Sequence, residues 1–325
     1  MRRRSALFST FAKVQNISFM NLRHITSDSH PIKEFLIYLL LILIAGLLFN
    51  LIGGVLAAPF YGISLSAIMD GTAMQATPEN AAFLKFYQIV NHIGMFTVPS
   101  LLFMALFMSR YDLTTLGLSK INFFSVLSGI VVLFAALPFT GMLIEWNQGM
   151  QLPGFLEGIE GKLRILEDSA GDLTEVFFLD TSVKGLIINL IMIALIPAIG
   201  EELVFRGVLF RIFHKWIRNI HVVVIITSIL FSAMHLQFYG FVPRMFLGLV
   251  FGYLFVYSRS LWVPIIAHFV NNGTAVTAEW FFRRNGGDLN AENFGSTDSG
   301  LVVLISILMV LGIFFLMRRM HRFSE

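Results

Sequence analysis

The chain has 325 residues, of which 56% are hydrophobic and 13% charged, with a formal net charge of +3 and a mean hydropathy of +0.77. A soluble domain has too much surface for its volume to hide that apolar fraction, so a soluble fold is excluded. The absence of cysteine removes disulfide frameworks, thiolate catalysis and Cys-ligated metals, and basic residues clustered at the ends of apolar runs speak for membrane topology and against nucleic-acid binding.

Residues 1–33 are polar and basic (Arg2, Arg3, Arg4, Lys13, Arg23) and read as a cytoplasmic leader with a short amphipathic stretch near Phe8–Phe19. Apolar runs long enough to cross a bilayer core of roughly 30 Å then recur at 35–58, 86–109, 122–144, 184–206, 221–238, 243–257, 262–281 and 301–317. Their continuous apolar character predicts helices, since barrel strands alternate polar and apolar residues. The expected fold class is therefore all-α, a polytopic transmembrane bundle of about eight spans. Charge bias supports the count. Arg110, Lys120, Arg211, Lys215, Arg218, Arg259, Arg318, Arg319 and Arg322 fall on one side with the leader, which places both termini in the cytoplasm. The polar connection 145–183 falls on the other side and reads as an outer loop with an amphipathic helix around Phe155–Leu166. Arg283 and Arg284 fall on the wrong side, followed by Asp288, Glu292 and Asp298.

Ionisable residues within spans cost about 2.5–3.5 kcal/mol each on insertion scales, so each is a functional candidate. Glu201 and Glu202 are adjacent and point about 100° apart on a helix, which argues against one shared role. Glu202 and Arg206 stand at i, i+4 and suit an ion pair. Glu201 is then free to face a cavity as a general base, and Pro197 allows a kink just before it. The alternative is a helix end with Glu202 and Arg206 solvated. Phe231 and His235 follow in the next span, and His268 and Asn272 share one helix face further on. A lone histidine in a span is more often an interhelical hydrogen-bonding group, but three such sets on nearby spans point to a site. Arg244 beside Pro243 reads as an interfacial anchor. By helical rise, Glu201 and His235 come to similar depths, roughly 21–23 Å along their helices, and His268 only to about 9 Å. Either the ends near Arg218 and His221 project from the membrane or the third helix starts deeper.

Glu-Glu-x-x-x-Arg, Phe-x-x-x-His and His-x-x-x-Asn in this order resemble the Abi/CAAX family of intramembrane proteases, which includes the type II CAAX prenyl endopeptidases. The resemblance covers about 184–275. It implies a catalytic core over 184–281, flanked by an N-terminal transmembrane region over 34–183 and by an outer loop, last span and basic tail over 282–325. It further implies that Glu201 and His235 activate a water and that His268 and Asn272 donate to the oxyanion, with Glu202, Arg206 and Phe231 as support. The implied partner is a membrane-associated, prenylated CAAX-type peptide or protein, and the setting is the lipid bilayer of the plasma (inner) membrane; no oligomeric state follows. A zinc-dependent version on Glu201, His235 and His268 is the alternative. No cofactor is favoured, because His268 and Asn272 suit paired donors and no HExxH helix occurs. A non-catalytic immunity or partner-binding protein of the family is the other alternative. A small transporter is disfavoured by the lack of inverted repeats.

Overall fold

Each apolar run read as a span contains a helix in the computed structural model, which describes residues 30–107, 117, 121–287 and 295–322. The principal helices are α1 Pro31–Leu56, α2 Ala81–Ala105, α3 Phe123–Gln148, α4 Glu157–Phe177, α5 Val183–Ile217, α6 Ile220–Ala233, α7 Phe238–Ser258, α8 Trp262–Arg284 and α9 Gly300–Met320. No strand occurs among the described residues. Six of the helices (α1, α2, α3, α5, α7 and α9) are long and apolar enough to cross a membrane. Of the other two predicted spans, α6 has only 14 residues, and α8 has 23 but carries Glu279, Arg283 and Arg284 at its end. The chain is a polytopic helical integral membrane protein. The basic residues Arg2–Arg4, Arg110 and Lys120, and the stretch near Phe8–Phe19, lie outside the described residues.

Local chemistry sets the helix ends. The Asn219 side chain accepts from the backbone N–H groups of His221 and Val222 to start α6, and Ser182 caps α5 in the same way. Arg218 and Arg259 close α5 and α7 in the left-handed region, at φ 55° and 53°. Four π-helical stretches break the α pattern among the described residues, Leu51–Leu56 at the end of α1, Ile93–Thr97 in α2, and Leu190–Leu195 and Leu203–Leu209 in α5. Such segments often accompany functional sites.

Helix α5 runs between α2 and α8, α6 packs along α7, and α7 rests on α3 and α8. The buried side chains of Phe205, Val208, Val223, Val224, Phe231 and Leu261 tie α5, α6 and the start of α8 into one core. Leu43, Leu47, Leu304 and Leu308 on α1 and α9 are exposed, as expected of surfaces solvated by lipid. At 35 residues, α5 is about 52 Å long and overruns a bilayer core of about 30 Å.

Helix α4 is the amphipathic helix predicted in the 145–183 connection, and it extends further than expected, to Phe177. Glu167 accepts hydrogen bonds from the Gln237 side chain at 3.0 Å and from Tyr239 N at 3.3 Å, and the Tyr239 hydroxyl donates to Glu160 at 3.0 Å. The helix is thereby docked on the turn between α6 and α7. The same turn is held by Asn147 of α3, which bonds Phe238 O and Val242 N, and by Arg244, whose guanidinium bonds the Gln237 side chain at 2.7 Å. Arg244 therefore braces a turn inside the protein and is not a simple interfacial anchor.

Candidate active site

Helix α5 is shaped around its polar residues by the two that precede them. Pro197 has no N–H to give the carbonyl of Ile193 four residues back, and Asn272 of α8 donates its side-chain amide to that carbonyl at 3.1 Å. The Asn272 oxygen in turn accepts from the Asn271 side chain. Gly200 lies against α2. A Cβ there would stand 2.9 Å from Phe96 Cβ, 3.1 Å from Thr97 Oγ1 and 3.2 Å from His92 Nε2. Only glycine permits this approach without movement, and it brings α2 to the flank of the next residue, Glu201.

The i, i+4 pair predicted from sequence forms, and it is completely enclosed. Arg206 Nη1 donates to Glu202 Oε1 at 2.7 Å with both side chains at 0% exposure. Arg206 Nη2 donates to the carbonyl of Gly248 on α7 at 2.7 Å, and its guanidinium carbon lies 5.0 Å from the Phe231 ring centre and 5.6 Å from that of Phe251. These contacts offset part of the desolvation of a buried charge pair. His268 Nδ1 also bonds Glu202 Oε1, at 3.0 Å. A carboxylate only accepts, so Nδ1 carries the hydrogen. The His268 ring is stacked 4.8 Å from Phe251, which fixes its plane. Glu202, Arg206 and His268 thus form one network joining α5, α7 and α8.

Glu201 stands apart from that network. Its side chain is buried, and among the described residues no lysine or arginine nitrogen lies within 4.0 Å of it. Its Oε2 faces His268 Nε2 at 3.8 Å, and its Oε1 faces His92 Nε2 at 4.0 Å. Glu201 therefore has histidines on both sides and hydrogen-bonds to neither.

His235 does not lie within α6, which ends at Ala233. It sits in the following turn, next to Leu236 at φ 54°. Its Nδ1 bonds the Phe231 carbonyl at 2.9 Å, so Nε2 presents a lone pair. The Phe231 ring packs edge-on to both His235 (5.4 Å) and His268 (5.9 Å), and so spaces the two imidazoles. His235 interacts electrostatically with both His92 and His268.

Among the described residues no group of three His, Asp or Glu side chains is placed, as it stands, to hold a metal ion. His268 Nδ1 and His235 Nδ1 are engaged by Glu202 and by Phe231 O, respectively, which fixes each ring and leaves its Nε2 as the nitrogen available to the site. His92 is the site residue the motif reading missed. It lies on α2, outside all three motifs, and the signal was available: it is an ionisable residue within an apolar run.

These features define a class, a polytopic helical membrane protein with an enclosed Glu–Arg–His network beside an unpaired glutamate. Residues 183–274 match the family described as type II CAAX prenyl endopeptidase Rce1-like. A Bacillus subtilis (strain 168) protein described as "Putative membrane peptidase YdiL" is 25% identical over 135 residues, which is 41% of this chain and 54% of that protein. The chain thus spans about half the length of that relative. No solved structure matches it. The resemblance to the Abi/CAAX family drawn from the three motifs is borne out over α5–α8.

Proposed function

We propose that this protein is an intramembrane endopeptidase whose nucleophile is a water activated by Glu201. The observation that carries this reading is the contrast within one dipeptide. Glu202 is bonded to Arg206 and His268, whereas its neighbour Glu201 is buried, unpaired and flanked by imidazoles. A buried carboxylate held out of any ion pair is poised to take a proton, and general-base catalysis of this kind contributes typically about 10²–10⁴-fold.

In the proposed cycle Glu201 removes a proton from water as the water oxygen bonds to the peptide carbonyl carbon. His235 accepts the second water hydrogen at Nε2 and orients the attack. Asn272 Nδ2 carries two hydrogens, one given to Ile193, and the other is offered to the oxyanion. His268 can donate from Nε2 as well only as an imidazolium, a form that Glu202 on its Nδ1 would balance. Collapse of the intermediate breaks the C–N bond as protonated Glu201 returns the proton to the leaving amine. No metal enters this scheme. The substrate proposed is a membrane-associated peptide, of which a prenylated CAAX-type terminus is the specific form. Location in the plasma membrane with both termini cytoplasmic completes the reading.

The test uses purified full-length protein in lipid vesicles with a farnesylated peptide ending in a CAAX-type tetrapeptide and, in parallel, a membrane-protein extract as substrate. Glu201→Ala and His235→Ala should each abolish cleavage, and prior dialysis against a strong chelator should leave the wild-type rate unchanged. Wild-type cleavage by both variants would sink the assignment.

A further inference from the structure

The matched segment begins well after α2, yet α2 places a histidine against the proposed base. His92 is 8% exposed, and its Nε2 is fully enclosed with no hydrogen-bond partner. An enclosed, unpartnered imidazole nitrogen costs about 1–3 kcal/mol and calls for an explanation. The ring is locked in place, lying parallel to Phe96 at 4.2 Å with 4° between the planes. It is also seated against Gly200, where a Cβ would crowd Nε2 at 3.2 Å. What Nε2 faces is Glu201 Oε1, at 4.0 Å. The remaining charged and titratable groups around this pair are Glu202, Arg206, His235, Arg244 and His268. Glu202 and His268 are bonded to one another, Arg206 is bonded to Glu202, and Arg244 is bonded to Gln237.

We infer that His92 is a positioning residue for Glu201: its Nε2–H closes on Oε1 when substrate binds and fixes the carboxylate for proton transfer. This assignment rests on Glu201 being the base of the proposed reaction. The gap to a normal hydrogen bond of about 2.9 Å is about 1 Å, and catalytic hydrogen bonds commonly tighten by such amounts in the substrate complex. The π-helical turn Ile93–Thr97 begins at the next residue and carries both Phe96, under the ring, and Thr97, against Gly200. The N-terminal half of the chain thereby takes part in the site, and the flank of Glu201 opposite His268 is supplied by a helix outside the three motifs.

Two substitutions separate this role from simple packing. His92→Phe keeps the stacked ring and removes the donor, and His92→Gln keeps a donor near the position of Nε2 and removes the ring. With the farnesylated peptide in vesicles, His92→Phe should lower kcat about 10²-fold at unchanged KM, the scale of a 1 Å misplacement. His92→Gln should recover most of that loss. The reverse order, with Phe like wild type and Gln defective, would overturn the proposal and leave only a packing role. Glu201→Gln run alongside identifies failure of the underlying reading, because full activity there removes Glu201 as base whatever His92 does. Mass-spectrometric measurement of Glu201 modification by a hydrophobic carbodiimide needs no turnover. Its rate should change in His92→Phe and stay near wild type in His92→Gln, and equal rates in all three proteins would also contradict the assignment.

Discussion

Of the three Glu-x-x-x-Arg ion pairs among the described residues, on α4, α5 and α8, those on α4 and α5 are put to opposite uses. On α4, Glu160 and Arg164 pair at 2.8 Å with side chains 18% and 49% exposed, and on α5, Glu202 and Arg206 pair at 2.7 Å with both at 0%. The outer pair lies over Tyr239, with the Arg164 guanidinium 4.3 Å from the ring centre, and helps to seat one helix on a turn. The inner pair has no water to fall back on, so its charges are satisfied by each other, by Gly248 O, by His268 and by aromatic faces. Spacing specifies that a pair can form, and its surroundings decide what the pair contributes. An exposed pair is screened and nearly neutral in energy, whereas an enclosed pair becomes indispensable once built.

The sharpest way to break this comparison is to remove one inner partner. Arg206→Ala strands Glu202 in the core and should destabilise the protein by about 3–5 kcal/mol, seen as a large fall in melting temperature in detergent or as failure to accumulate. A melting temperature close to wild type would mean that the pair is not enclosed. A smaller loss is expected at Asn272→Ala, which exposes the Ile193 carbonyl left over by Pro197. About 1–3 kcal/mol is the usual cost of such an orphan, and thermal denaturation would measure it. Arg164→Ala on the outer helix should leave the melting temperature unchanged in 0.15 M salt, roughly the ionic strength at which such pairs are screened.

A pH titration sharpens the same contrast with the smallest effect. The Leu152 N–H, which is the main cause, together with the Arg164 side chain holds the Glu160 carboxyl below its ordinary value of 4.5. A carboxyl depressed by folding stabilises the docked state above that ordinary value, and the contribution is lost as pH falls through the lower folded value. Helix α4 should therefore stay protected from hydrogen exchange down to about pH 4.5 and loosen only below it, with Glu160→Gln removing the pH dependence. Loosening between pH 5 and 7 would contradict the proposed anchoring.

The fold was legible in the apolar runs because a lipid-embedded backbone has few options, and each of the eight predicted spans contains a helix. Helix ends were less legible. The turn after Ala233 puts His235 outside α6, since Leu236 adopts a positive φ that an apolar pattern does not announce. The Glu202–Arg206 pair could be read from i, i+4 spacing within one helix. The bonds from His268 to Glu202 and from Asn272 to Ile193 cross between helices, and no spacing encodes them. The second has a trace in the sequence all the same, because Pro197 withholds a donor from the preceding turn. His92 stands out in the sequence as an ionisable residue in an apolar run, but its role does not. It has no polar partner on its own helix, and its relation to Glu201 depends on the close approach at Gly200.

The central claim is that two adjacent glutamates divide the work, Glu202 holding the helices together and Glu201 handling the proton. Glu201→Gln tests it most directly when melting temperature and single-turnover cleavage of the farnesylated peptide are measured on the same vesicle preparation. The account predicts a melting temperature near that of wild type and a rate lower by about 10²–10⁴-fold. Cleavage at the wild-type rate would contradict it.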